Sequence, residues 1–366
     1  MTQLEQTPAT RSRERLALVD CDIHVAGRSQ RDYAEHLAPR WRRHLELFGA
    51  ARPNGANYPR ANDHAARTDS WPPGGGPPGS DLDFLREQLL DRWDMDIGVL
   101  TPLVGSGGQR NLEFGAAYAS AVNDWQRERW LEPEPRLRGA INVEYEDGEF
   151  AAREIDRVAD DKRFVQVLLY IRTAEPLGRR KYWPLYEAAT RHDLPVAVHF
   201  GGNGGFPITG AGWPSFYIED HAGMSTAFQS QVTSLVVEGV FERFPTLRFV
   251  LIEGGFAWLA PLMWRLDDAY ARLREEVPHL RRKPSEYLRE HLWLTTQPME
   301  EPDRPEQLAA LLGDLDMDGR LMFATDYPHW DFDAPDQAIP PSLGSERLRA
   351  IRAGNANRLY GLGLEV

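Results

Sequence analysis

Several features are scarce in this sequence, and each shortage removes a class of protein. A single cysteine, Cys21, leaves no internal disulfide and no cysteine-rich zinc site, so a reducing cytoplasm is the expected location. No apolar stretch reaches the roughly 20 residues that span a bilayer, and the polar first 15 residues hold no signal-like run. No membrane association is therefore expected. Basic residues are outnumbered, 42 against 55, for a net charge of -13. With no basic cluster either, nucleic acid is excluded as the main partner. Internal repeats are absent, and no glycine fingerprint follows the first strand-like segment, which speaks against dinucleotide binding.

What is present is a chain of 366 residues, 42% hydrophobic, long enough to bury a large core. Residues 1–15 read as a disordered arm and 16–366 as a single domain. Residues 51–80 interrupt it with a Pro/Gly-rich insertion after the first strand, containing Trp71 and the run Pro-Pro-Gly-Gly-Gly-Pro-Pro-Gly. Such long loops act as lids or binding loops, or are disordered. From Met95 onward, strand-like runs alternate with helical patterns. Strands are predicted at Met95–Thr101, Arg138–Val143, Phe164–Tyr170, Pro195–Phe200, Leu247–Ile252, Leu292–Thr296 and Leu321–Thr325. Helices are predicted at Asp32–Phe48, Leu112–Leu131, Ser225–Phe244 and Phe256–Glu276, among others. With a first strand near Leu16–Val25 the total is eight, which fits a (β/α)8 barrel of α/β class; a doubly wound open sheet is the alternative.

Chemistry in such barrels sits at the C-terminal strand ends. At a period of two, Val19, Cys21, Ile23 and Val25 form one face of strand 1, while Asp20, Asp22 and His24 form the other. Strand 5 ends in His199, strand 6 in Glu253 before Gly254-Gly255, and strand 8 in Asp326 before Tyr327-Pro328-His329. Burying such groups is costly unless they pair or bind a metal. Each has a plainer role open to it. His199 could be a hydrogen-bonded structural histidine, Glu253 could receive helix N-terminal amides, and Asp326 could shape a turn. Unrelated structural roles would not place acids and imidazoles at the same end of strands 1, 5, 6 and 8, which points to a shared site for zinc, manganese or iron.

These residues resemble the amidohydrolase superfamily, in its branch of aminocarboxymuconate-semialdehyde decarboxylase-like proteins. The resemblance runs from Asp20 to about Tyr360. It is carried by Asp22-Ile-His24, Leu194-Pro-Val-Ala-Val-His199, Gly239-Val-Phe-Glu-Arg-Phe-Pro245 leading to Glu253-Gly-Gly, and Thr325-Asp-Tyr-Pro-His329. It implies that Asp22, His24, His199 and Asp326 hold one divalent metal. Two positions depart from the branch: Asp22 replaces a histidine or glutamate, and Glu253 replaces a histidine that polarises substrate or moves protons.

The expected function is a mononuclear metal-dependent hydrolase acting on a small cyclic or aromatic substrate, with Asp326 taking a proton from metal-activated water. The first alternative is a non-oxidative decarboxylase in which Asp326 protonates the ring carbon. The second is a metal-free barrel that binds a ligand without chemistry. Glu253 and His221 are further catalytic candidates. Arg172, Trp213, Trp258 and Trp330 are candidates for holding substrate, although a surface salt bridge is the more expected role for Arg172. Asp20 and His329 are expected to orient the ligands without touching the ion. A homodimer or higher homo-oligomer is also expected.

Overall fold

The computed structural model describes residues 15–51, 61–105, 107–202, 207 and 209–366. Eight strands lie side by side in chain order in one sheet. They are β1 (Val19–Ile23), β2 (Ile97–Leu100), β3 (Leu137–Asn142), β4 (Phe164–Arg172), β5 (Val196–Gly202), β6 (Phe249–Ile252), β7 (Leu292–Thr295) and β8 (Leu321–Met322). All seven pairings are parallel. The Cys21 N–H donates to the Phe323 carbonyl at 2.9 Å and the His24 N–H to that of Tyr327 at 2.7 Å. These bonds join the last strand to the first, giving the (β/α)8 barrel.

Most strands are buried on both faces, as a sheet with helices outside requires. Inward-facing Val19, Cys21, Ala197, Val250 and Met322 form a cluster inside the barrel. Ala356 and Leu359, from the C-terminal helix Asn355–Tyr360, join this cluster. The Tyr360 hydroxyl donates to Gln166 of β4 at 2.8 Å, so the end of the chain closes the barrel's base.

The period-two reading of β1 fails midway. Val19 and Cys21 belong to the inner cluster, but Ile23 and Val25 pack with the outer core against the helices. The register shifts between Asp20 and Ile23. This irregularity re-aims the strand end, so that Asp22 and His24 reach the mouth. β8 is shorter than predicted because its later amides are used elsewhere. Phe323 N–H donates to Ile351, Ala324 N–H to the Thr296 hydroxyl and Thr325 N–H to Asp20, at 3.0, 3.1 and 3.0 Å.

The predicted helix Asp32–Phe48 is two helices, Gln30–Ala34 and Pro39–Phe48, because Pro39 starts a new helix well but cannot continue one. Likewise Ser225–Phe244 is divided into Met224–Val237 and Val240–Arg243 by Gly239 at φ +77°. Of the predicted N-terminal arm only Arg15 is among the described residues, where it pairs with Asp96 at 3.1 Å. Among the described residues no helix is long and apolar enough to cross a membrane.

Residues 52–60 of the insertion lie outside the described residues; the remainder folds back over the barrel mouth. Arg67 N–H donates to the Pro328 carbonyl at 3.0 Å, Trp330 N–H to Ala65 at 2.7 Å and Ala26 N–H to Gly79 at 2.9 Å. The glycine at 79 has a specific cause. Its φ is +72°, and a Cβ there would lie 2.3 Å from the His24 carbonyl oxygen. Gly79→Ala is therefore expected to cost about 2–4 kcal/mol from backbone strain and crowding together, read as a lowered urea midpoint.

Candidate metal centre

At the C-terminal ends of the strands, Asp22, His24, His199 and Asp326 each present a ligating atom, and these atoms lie within 4.8 Å of one another. All four residues are buried. His24 Nε2 is 2.7 Å from Asp326 Oδ1 and 3.5 Å from Asp22 Oδ1. His199 Nε2 is 3.3 Å from Asp22 Oδ2 and 3.1 Å from Glu253 Oε2. The opposite ring nitrogens face carbonyls, His24 Nδ1 that of Thr101 at 2.9 Å and His199 Nδ1 that of Phe200 at 2.6 Å. Each Nδ1 therefore carries a hydrogen, which leaves Nε2 to serve as a ligand. Thr101 also donates its hydroxyl to Asp22.

The electrostatics call for a cation. Burial pushes the Asp326 carboxyl upward, but His329 and His24 hold it well below the usual range. Both imidazoles contact Oδ1, at 2.7 Å each. Oδ2 is buried and has no hydrogen-bond partner among the described residues. Leaving a buried carboxylate oxygen unsatisfied costs on the order of 1–3 kcal/mol or more, and a cation would satisfy it. Two imidazoles and two carboxylates around that oxygen fit one divalent transition metal, with zinc, manganese and iron all compatible. Burial lowers the His24 pKa, but Asp22 and Asp326 overcome this and raise it to about 9. Metal must displace that proton. Affinity is therefore expected to strengthen about tenfold per pH unit up to about 9 on account of His24, as measured by titration with a metal indicator.

Backbone geometry aims two of the acids. Glu253 and Asp326, just past β6 and β8, have φ of +58° and +61°, a region uncommon for residues with a Cβ and concentrated at functional sites. The plainer role for Glu253 is filled by another residue. Glu300 accepts the Phe256 and Ala257 amides at 3.1 Å each, where the following helix begins. Glu253 instead faces the cavity. Burial, then Asp326, Asp331 and Asp22, raise its pKa well above the normal value. Asp326 does form a turn through its carbonyl, which accepts the His329 N–H at 2.8 Å, while its side chain joins the cluster.

Above the cluster is a cavity of about 710 Å³. Arg172 lines it, 9% exposed and 5.6 Å from the Phe200 ring, so it belongs to the cavity wall and not to the outer surface. Trp330 also lines it. Trp213 and Trp258 do not: Trp213 is 56% exposed, and the Trp258 indole donates back to the Gly254 carbonyl at 2.8 Å. His221 is set behind the wall, its Nε2 3.0 Å from Asp331 Oδ2, and Asp331 rather than His221 faces the cavity. Asp20 accepts the Thr325 amide and hydroxyl and the Asp22 amide, bracing two ligands from behind. Tyr33, Tyr118, Tyr217 and Trp71 also line the cavity. Sequence reasoning missed them; only Trp71, a lone large aromatic in a turn-rich loop, carried a signal.

The amidohydrolase family model matches residues 19–362. The chain belongs to the amidohydrolase family. Among curated proteins, this family member is 28% identical over 313 residues to gamma-resorcylate decarboxylase of Polaromonas sp. (strain JS666 / ATCC BAA-500), covering 78% of this chain and 92% of the relative. It is 25% identical over 270 residues to gamma-resorcylate decarboxylase of Rhodococcus jostii (strain RHA1), covering 68% and 78% respectively. The fold matches a Mycobacterium avium subsp. paratuberculosis amidohydrolase at TM-score 0.70 and 22% identity, over 95% of this chain and all of that one. It also matches dihydroxybenzoic acid decarboxylase of Polaromonas sp. JS666, solved with manganese and 2-nitroresorcinol, at TM-score 0.67 and 20% identity, over 96% and 98%. The expectation of an enzyme, hydrolase or decarboxylase, thus holds. The curated relatives favour the decarboxylase alternative over hydrolysis, and the metal-free reading gains no support.

Proposed function

We propose that this amidohydrolase is a metal-dependent, non-oxidative decarboxylase of a small aromatic or unsaturated carboxylic acid. The observation that carries the reading is Glu253. It is a buried acid facing an aromatic-walled cavity, 3.1 Å from His199 at the edge of the ligand cluster. The metal would be held by Asp22, His24 Nε2, His199 Nε2 and Asp326 Oδ2. When bound, it would neutralise the substrate carboxylate and an adjacent oxygen and stabilise negative charge there.

The chain's own groups supply the rest. Tyr33, Tyr118 and Trp330 of the cavity wall offer apolar surface to a flat ring. Arg172 pairs with a second anionic or phenolic oxygen of the substrate. Asp326, held as a carboxylate by two imidazoles, is suited to ligation and unsuited to giving up a proton, so the sequence-based assignment of proton delivery moves to Glu253. Glu253 transfers its proton to the carbon bearing the carboxylate. The bond to that carboxylate then breaks, its electrons return to the ring, and carbon dioxide leaves. Water reprotonates Glu253.

The test is carbon dioxide release by manganese-loaded protein against a panel of hydroxybenzoates and unsaturated acids. Metal-dependent release with the protonated product supports the reading. Metal-dependent hydrolysis of esters, lactones or amides, without carbon dioxide from any acid, would sink it. The proposal includes a cytoplasmic homo-oligomer, with exposed Trp213, Phe216 and Ile218 offering apolar surface; sedimentation would show a monomer if that part is wrong.

A further inference from the structure

At the opposite end of the barrel, where the strands begin, a second cavity of about 490 Å³ is lined by Arg248, Arg289, Arg320 and Arg358 around Trp293. Arg248 and Arg320 each immediately precede a strand, β6 and β8, and Trp293 stands near the start of β7 between them. Arg289 comes from the helix Pro284–His291 and Arg358 from the C-terminal helix. The sheet register therefore gathers four guanidiniums at one place in a chain whose net charge is -13.

Their charges are poorly matched within the chain. Arg248 pairs with Asp193 at 2.5 Å. Arg289 donates to the Leu315 carbonyl at 3.0 Å, and Arg358 to the Gly319 carbonyl and to Asn355 Oδ1. Those acceptors are neutral. Arg320 lies over the Trp293 ring, 4.6 Å from its centroid, with Arg358 at 5.4 Å. Among the described residues, no carboxylate forms a salt bridge with Arg289, Arg320 or Arg358. Asp316 is the one acid in the cavity wall, and nearby Glu290 is engaged by Arg282 at 2.5 Å. Burial, then Arg358, holds Arg320 below its usual pKa; Glu290 opposes this and Arg248 adds to it.

A second observation is independent of the charges. Trp293 is 4% exposed, yet its indole N–H has no acceptor among the described residues, and neither does the Arg248 Nε–H. Buried donors are normally satisfied. Here the two residues with unused donors line the same cavity as the guanidinium forks. Such forks match the oxygens of a phosphate group.

We propose that this basal cavity is a binding site for a phosphate group, distinct from the metal centre and separated from it by the packed barrel interior. The donor set asks for an anion with several oxygens and more than one charge. The volume admits inorganic phosphate or the phosphate of a small metabolite such as a nucleoside monophosphate. The usual phosphate sites of this fold lie at the C-terminal face; this one would lie at the other.

The test is calorimetric titration of metal-loaded protein with inorganic phosphate and, separately, with AMP, at low ionic strength to limit screening. Saturable binding of one equivalent is expected. Arg320→Gln and the more exposed Arg358→Gln should each weaken it roughly tenfold or more, while Trp293→Phe, which keeps the ring and removes the N–H, should weaken it less. Tighter binding of AMP would identify an organic phosphate, and equal or weaker binding would identify the inorganic ion. Absence of saturable binding at millimolar concentrations of both would overturn the proposal. Unchanged affinity in folded Arg320→Gln and Arg358→Gln proteins would also overturn it, since phosphate would then be bound elsewhere, as at the metal.

Discussion

His199→Ala protein is expected to purify without a metal ion and, in the proposed decarboxylation, to release carbon dioxide at least about a thousandfold more slowly, the several kcal/mol that a Lewis-acidic ion contributes. His199 is the most informative ligand to remove. It is fully buried, its Nδ1 is fixed by the Phe200 carbonyl, and its Nε2 bridges Asp22 and Glu253. Without it, Asp22 and Glu253 lose the ring that lies between them and a buried gap is left, so weakened metal affinity and destabilisation are expected together. Elemental analysis and single-turnover kinetics on a chelator-free preparation decide the matter. Wild-type stoichiometry would end the ligand assignment, and lost metal with retained rate would make the ion structural.

Glu253→Gln is expected to separate chemistry from binding. The amide keeps the shape but has no proton to deliver, so turnover should fall by about 10²–10⁴-fold while metal content stays near that of wild type. The loss should appear in kcat more than in KM, because proton transfer occurs only in the transition state. The same change removes a carboxyl repelled by Asp326, Asp331 and Asp22. Its metal-free form should therefore melt higher than wild type, a gain in stability that costs function. A variant with normal turnover would return proton delivery to another group.

Much of this site could be read from the chain before any coordinates. Asp22, His24, His199 and Asp326 were legible because each is an ionisable residue at the end of an apolar run, and a parallel barrel brings all such ends to one mouth. The bulge in β1 was not legible. Strict alternation placed Cys21 with Ile23, whereas one shifted register separates them between the barrel interior and the helix layer. The cavity walls were legible only in part. Trp213, Trp258 and His221 follow the right strands, but loop residues take directions that strand spacing does not set. Trp71 stood out as a lone large aromatic, but a segment rich in glycine and proline has no periodicity from which its direction could be taken. Glu253 could not be resolved because its competitor for the helix amides, Glu300, lies 47 positions away.

The closing of the barrel has a consequence for how the protein is made. β1 can find its last neighbour only after Phe323 and Tyr327 exist, and the interior stays uncovered until Leu359 arrives from the final helix. Without those contacts the first seven strands cannot close, and apolar surface is expected to stay exposed. A chain lacking the helix Asn355–Tyr360 would hold most of its apolar sequence but could not seal the barrel interior, and is expected to be a client for chaperones and proteases.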